Sequence, residues 1–111
     1  MTRKASALKS TLVDLPVWYQ PEAPFGSALR YLASLSPHFH WVGISVLKGK
    51  RLEPGPSLGD RKGGGKFVAS IRDAAGKVLG QIEIDRSDLP MAELEKIVQR
   101  VADELGVLWP V

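Results

Sequence analysis

Three groups of side chains in this chain could do chemistry. Glu83 and Asp85 stand two residues apart in Val78-Leu79-Gly80-Gln81-Ile82-Glu83-Ile84-Asp85. On an extended strand that spacing puts both carboxylates on one face. Such a pair can do acid–base work if one member is desolvated; a solvated pair instead meets Lys and Arg. His38 and His40 alternate in the same way at the start of an apolar run, and a His-x-His pair can bind metal. A metal site needs a third ligand. None has suitable spacing, although Glu83 or Asp85 could approach across a sheet, so the expectation is two surface histidines and no metal.

The third group is Asp60-Arg61-Lys62-Gly63-Gly64-Gly65-Lys66. A phosphate-binding loop ends in Gly-Lys-Ser/Thr at the start of a helix. Here no Ser or Thr follows Lys66, and the residues beyond it have a strand pattern. The segment reads as a basic, mobile hairpin connection, with weak anion attraction by Arg61, Lys62 and Lys66. The chain has no cysteine, which removes disulfides, thiol catalysis and zinc–thiolate sites together.

The elements that must position these groups follow from periodicity. Phe25, Leu29, Leu32 and Leu35 mark one face of a helix that Ser36-Pro37 ends. An apolar strand runs from His40 to Leu47, followed by a turn at Lys48-Gly49-Lys50. Arg51 to Leu58 returns as a second strand, and Pro54 and Pro56 each remove a ladder donor, so it belongs at a sheet edge. Lys66 to Arg72 is a third strand. Asp73-Ala74-Ala75-Gly76 reads as a type I turn ending in a left-handed glycine, and Lys77 to Asp85 is the fourth strand. In that strand Val78, Gly80, Ile82 and Ile84 fall on one face, with Leu79, Gln81, Glu83 and Asp85 on the other.

A final helix is capped by Ser87 or Asp88, with Pro90 in its first turn. Met91, Leu94, Ile97, Val98, Val101 and Leu105 form its apolar stripe. Gln99, Arg100, Asp103 and Glu104 lie on its other side, and Gly106 is read as its C-terminal cap. At the other end of the chain, Ala5 to Leu15 is compatible with a short helix and Leu15 to Pro24 with an extended connector. Trp18, Tyr19, Leu108 and Trp109 either fold back on the domain or fill a subunit contact. The order helix, hairpin, hairpin, helix predicts an α+β domain: an antiparallel sheet of about four strands with its helices packed on one face.

Length and composition set the limits. A chain of 111 residues fits one domain with one core. The apolar fraction of 44%, charged fraction of 24% and net charge of +3 are ordinary for soluble globular proteins and do not establish nucleic-acid binding. No apolar run is long enough to span a bilayer. The basic start Met1-Thr2-Arg3-Lys4-Ala5 is not followed by the apolar stretch of a secretory signal. The expected compartment is the cytoplasm.

Trp41-Val42-Gly43-Ile44-Ser45-Val46-Leu47, a short turn, and Leu52-Glu53-Pro54-Gly55-Pro56 together resemble the first hairpin of GAF domains, closest to the free methionine-(R)-sulfoxide reductase group. Asp73 to Asp85 resembles the last hairpin of the same fold, and the C-terminal helix falls where a GAF domain has one. The resemblance covers roughly Phe25 to Leu105. It implies a minimal GAF-like domain over 25–111, preceded by an N-terminal helix and connector over 1–24.

The resemblance also implies a pocket wall at Trp41, Ser45, Glu83 and Asp85. Departures from the family bear on its activity. The family's covering segment between the hairpins is reduced to a few residues around Asp60 to Gly65. A carboxylate of the reductases aligns roughly with Lys66, and an aromatic position of theirs is Ser45. Their chemistry requires a thiolate to attack the sulfoxide sulfur, and this chain has none.

The expected function is thus a non-enzymatic GAF-like module for small-molecule sensing or subunit assembly, with no cofactor. A homodimer through the terminal helices is the expected partner arrangement, since such domains commonly associate that way. A relative of the reductase is the enzymatic alternative. A basic nucleic-acid binder is the third reading, opposed by the lack of an evident row of exposed aromatics.

Overall fold

The computed structural model describes residues 15–37, 39–61, 65–86 and 92–109. Helix α1 (Pro24–Leu35) is followed by β1 (Phe39–Lys48), β2 (Arg51–Gly59), β3 (Gly65–Arg72), β4 (Val78–Arg86) and helix α2 (Ala92–Val107). The four strands form one antiparallel sheet in the order β2-β1-β4-β3. Each hairpin pairs neighbours in sequence, and the β1–β4 pairing joins the two hairpins. β2 lies at an edge, as its prolines require, and every one of its residues is exposed.

One face of the sheet makes the core. Val42 and Ile44 of β1, Ala69 and Ile71 of β3, and Ile82 and Ile84 of β4 meet Ala28, Leu29 and Leu32 of α1 and Val98, Val101, Ala102 and Leu105 of α2. The period of two in the strands and of three to four in the helices places these residues inward. Turn chemistry is local: Gly76 has φ 88° and donates its amide to the carbonyl of Asp73 at 2.9 Å. The Asp73 carboxylate accepts the amides of Ala75 and Lys77, both at 2.9 Å. Among the described residues no helix is long and apolar enough to cross a membrane.

Two sequence expectations need correction. Gly106 is not a cap. It is a buried residue inside α2, and a Cβ there would lie 1.9 Å from the Arg72 carbonyl oxygen. The glycine lets α2 press directly on the end of β3. The connector before α1 is not extended: it makes two tight turns, closed by Tyr19 N–H to Pro16 C=O and Ala23 N–H to Gln20 C=O, each 3.1 Å.

Trp18 is buried at 6% exposure, and its indole N–H donates to Glu104 Oε1 at 3.0 Å. Tyr19, Leu108 and Trp109 pack against the core too, with the Trp109 ring 5.0 Å from that of Phe25. Fold-back on the domain is therefore the observed fate of these groups. Gln99, on the polar side of α2, donates to the Ser70 carbonyl at 3.3 Å. The proposed helix over Ala5 to Leu15, bar Leu15 itself, and the caps Ser87, Asp88 and Pro90 with Met91 lie outside the described residues.

Candidate functional site

The second face of the sheet carries the polar groups. β1 and β4 pair Trp41 with Asp85, Gly43 with Glu83, and Ser45 with Gln81. Residues directly opposite in an antiparallel pair share a face, and this face is the one turned away from the helices. Glu83 and Ser45 thus meet Trp41 on one surface.

Trp41 does not stand up from this surface. A Cβ built on Gly43 would fall 2.4 Å from Cη2 and 2.6 Å from Cζ2 of the Trp41 indole. The ring lies down across Gly43, in space that only a residue without a side chain leaves open. Trp-x-Gly on one strand face is thus a local device for a flat aromatic floor.

Chain connectivity then brings a cation over that floor. β2 and β3 are opposite edges, so the link between them must travel three strand spacings, about 14 Å. Asp60 begins the crossing, its amide donating to the His40 carbonyl at 3.0 Å. The next residue, Arg61, sets its guanidinium carbon 3.7 Å from the centre of the Trp41 ring, within the range of a cation–π contact. Its Nη1 donates to Glu83 Oε2 at 2.9 Å. Lys66 Nζ approaches the same oxygen at 3.3 Å.

Glu83 is mostly covered, its side chain 15% exposed, whereas Arg61 and Lys66 are 50% and 60% exposed. The Arg61 hydrogen bond holds the Glu83 carboxyl below its ordinary value of 4.5; Lys66 adds to the effect and burial opposes it. The group is an ionised carboxylate at neutral pH, poorly suited to acid catalysis.

Beside this stack is a cleft of about 320 Å³. Trp41, Gly43, Ser45, Gln81 and Glu83 form its floor, Arg61 one side, and Leu52 and Pro54 to Pro56 of β2 the other. Beside the β2 wall the β1–β2 register shifts between Gly43 and Ser45. Gly55 sits at that shift, where a Cβ would fall 2.7 Å from the Ile44 carbonyl oxygen.

Of the residues expected to line a pocket, Trp41, Ser45 and Glu83 do so. Asp85 does not line the cleft and is buried at 4% exposure. Of the expected anion holders, Arg61 and Lys66 converge on an internal carboxylate, and Lys62 lies outside the described residues. His38 is also outside them. His40 is partly buried, and among the described residues no group of three potential metal ligands forms.

Sequence reasoning missed Gly43, Gln81 and the β2 wall. Only Gly43 had a signal, its place two residues after a tryptophan on the same strand face.

No family model matches this sequence, and no curated protein does. Solved structures do match. A type II free methionine-R-sulfoxide reductase from Thermoplasma acidophilum superimposes with a TM-score of 0.65 at 19% identity, over 78% of this chain and 89% of that one. A protein described as a GAF sensor, from Burkholderia vietnamiensis, superimposes with a TM-score of 0.61 at 13% identity, over 97% of this chain and 91% of that one. At these identities the likeness establishes the fold: this chain is a GAF-like α+β domain, and it contains no cysteine.

Proposed function

We propose that this domain is a non-enzymatic sensor module that binds a small molecule in the cleft on the open face of its sheet. The observation that carries the reading is the aromatic floor made by Trp41 over Gly43, with the Glu83 carboxylate beside it. A cleft of this size with a few convergent polar groups suits a small ligand. A cytoplasmic setting goes with the reading, since a chain without cysteine needs no oxidising compartment.

The test is a metabolite screen followed through the Trp41 indole N–H resonance, assigned by its loss in Trp41→Phe. Saturable shifts of that resonance are expected. A screen in which compounds move only the resonances of Trp18 and Trp109 would sink the reading. The enzymatic alternative predicts turnover of methionine sulfoxide in a thioredoxin- and NADPH-coupled assay. Turnover above the blank would overturn the non-enzymatic part.

One observation favours subunit assembly as a second reading. Val17 and Val107 are 93% and 71% exposed, and the Trp18–Glu104 hydrogen bond brings their segments together. A homodimer through this terminal surface predicts a dimer mass in sedimentation that Val17→Asp with Val107→Asp reduces to a monomer. A monomer at all concentrations for the parent chain would exclude it.

A further inference from the structure

The Arg61 side chain has three features of a bound ligand rather than of a scaffold group. Its guanidinium carbon sits over an indole, 3.7 Å from the ring centre. It donates to a carboxylate at 2.9 Å. It is still half exposed. An aromatic face with an adjacent carboxylate is the arrangement that recognises guanidinium and methylated ammonium groups. The receptor half, Trp41, Gly43 and Glu83, is built on the two central strands, whereas Arg61 lies beyond the end of β2. Glu83 also keeps a second cation, Lys66, at 3.3 Å, so the carboxylate retains a charged partner when Arg61 is displaced.

We propose that the cleft takes an organic cation, a guanidinium or methylated ammonium group, which docks on Trp41 against Glu83 by displacing Arg61 from that position. This deepens the small-molecule reading above and rests on it. Arg61 acts as an internal competitor. An exposed cation–π contact and an exposed ion pair are each weak. Together they lower the apparent affinity for an external cation by the fraction of time the site is occupied, about tenfold, or 1.4 kcal/mol. An anionic ligand would behave in the opposite way, because it would need Arg61 as its partner. The sign of the Arg61 effect therefore identifies the ligand class.

The experiment titrates butylguanidinium, tetramethylammonium and butanoate into the parent chain, Arg61→Ala and Glu83→Gln, following the Trp41 indole resonance. The remaining resonances report that each variant is folded. Expected is saturable binding of the two cations, tightened about tenfold by Arg61→Ala and weakened by Glu83→Gln, with no response to butanoate. Cation binding that Arg61→Ala weakens or leaves unchanged overturns the proposal. So does binding of butanoate that depends on Arg61, and in that case the small-molecule reading survives. Failure of all three probes at Arg61→Ala overturns the cation class. The wider reading then stands or falls with the metabolite screen.

Discussion

On the helix side of the sheet, Val42, Ile44, Ala69, Ile71, Ile82 and Ile84 are at most 1% exposed. On the other side, the residues that alternate with them, Trp41, Ser45, Ser70, Gln81 and Glu83, all keep contact with solvent. The same strands supply both sets, so side-chain parity accounts for the difference, except at Asp85, which shares the parity of Glu83 and is buried at 4% exposure. A slip of one residue in the β1–β4 register would exchange the two sets and bury Glu83 in place of Ile82. Freedom to change therefore differs between the faces: one answers to packing, the other to chemistry.

Truncating one residue from each face should expose the difference most strongly. Ile82→Ala should cost about 2–5 kcal/mol, since it leaves a cavity in the core. Val68, on the open face and 43% exposed, should cost about 0.5 kcal/mol or less as Val68→Ala. Urea unfolding midpoints measure both. Equal losses would mean that the open face is covered in solution.

Gly106→Ala probes the helix side more finely. Alanine favours a helix over glycine by about 1 kcal/mol. Here its Cβ would meet the Arg72 carbonyl, and backbone yields poorly, so a net loss of about 1–3 kcal/mol is expected. A stabilised variant in thermal unfolding would show that α2 has room to retreat from β3.

The smallest effect belongs to the open face. Glu83→Gln should change stability by less than about 1 kcal/mol at neutral pH, because both cationic partners are at least half exposed. The pH dependence is more telling. The folded carboxyl titrates below its ordinary value of 4.5, so its contribution is complete above that pH and fades as pH falls through the lowered folded value. The gap between parent and Glu83→Gln should therefore close on acidification below about 4.5. Urea curves from neutral to acid pH would test this, and a gap independent of pH would show that charge plays no part.

Much of the fold was legible because its causes are local. Periodicity marked α1 and the stripe of α2. Gly49 and Gly76 marked the turns, and Pro54 with Pro56 put β2 at an edge. The parity of Glu83 against Ile82 and Ile84 was legible for the same reason.

What was not legible depends on contacts far apart in sequence. The Trp18–Glu104 hydrogen bond spans 86 residues, so nothing near Trp18 announces a buried indole. Gly106 resembles a helix cap until β3 is brought against it. Arg61 and Lys66 look like free cations beside a run of glycines. Only the crossing from one sheet edge to the other sets them beside Trp41 and Glu83. Trp41, Ser45 and Glu83 are legible as one wall from strand parity and the family resemblance, whereas the placing of Arg61 over that wall is not.

The two edges of the sheet also differ, with a consequence for aggregation. β2 has nine residues, and Pro54 and Pro56 contribute no amide donors. Its register shift opposite Gly43 and Ser45 breaks the regularity that an incoming strand would need. β3 has eight residues and no proline, so its ladder is the better template for an added strand. It carries Lys66 near one end and Arg72 at the other. In an antiparallel pairing of two β3 strands centred on Ala69, each Lys66 would face an Arg72 of the other copy, and like charges set opposite one another are destabilising. One edge thus resists fibrous growth through missing donors and the other through charge.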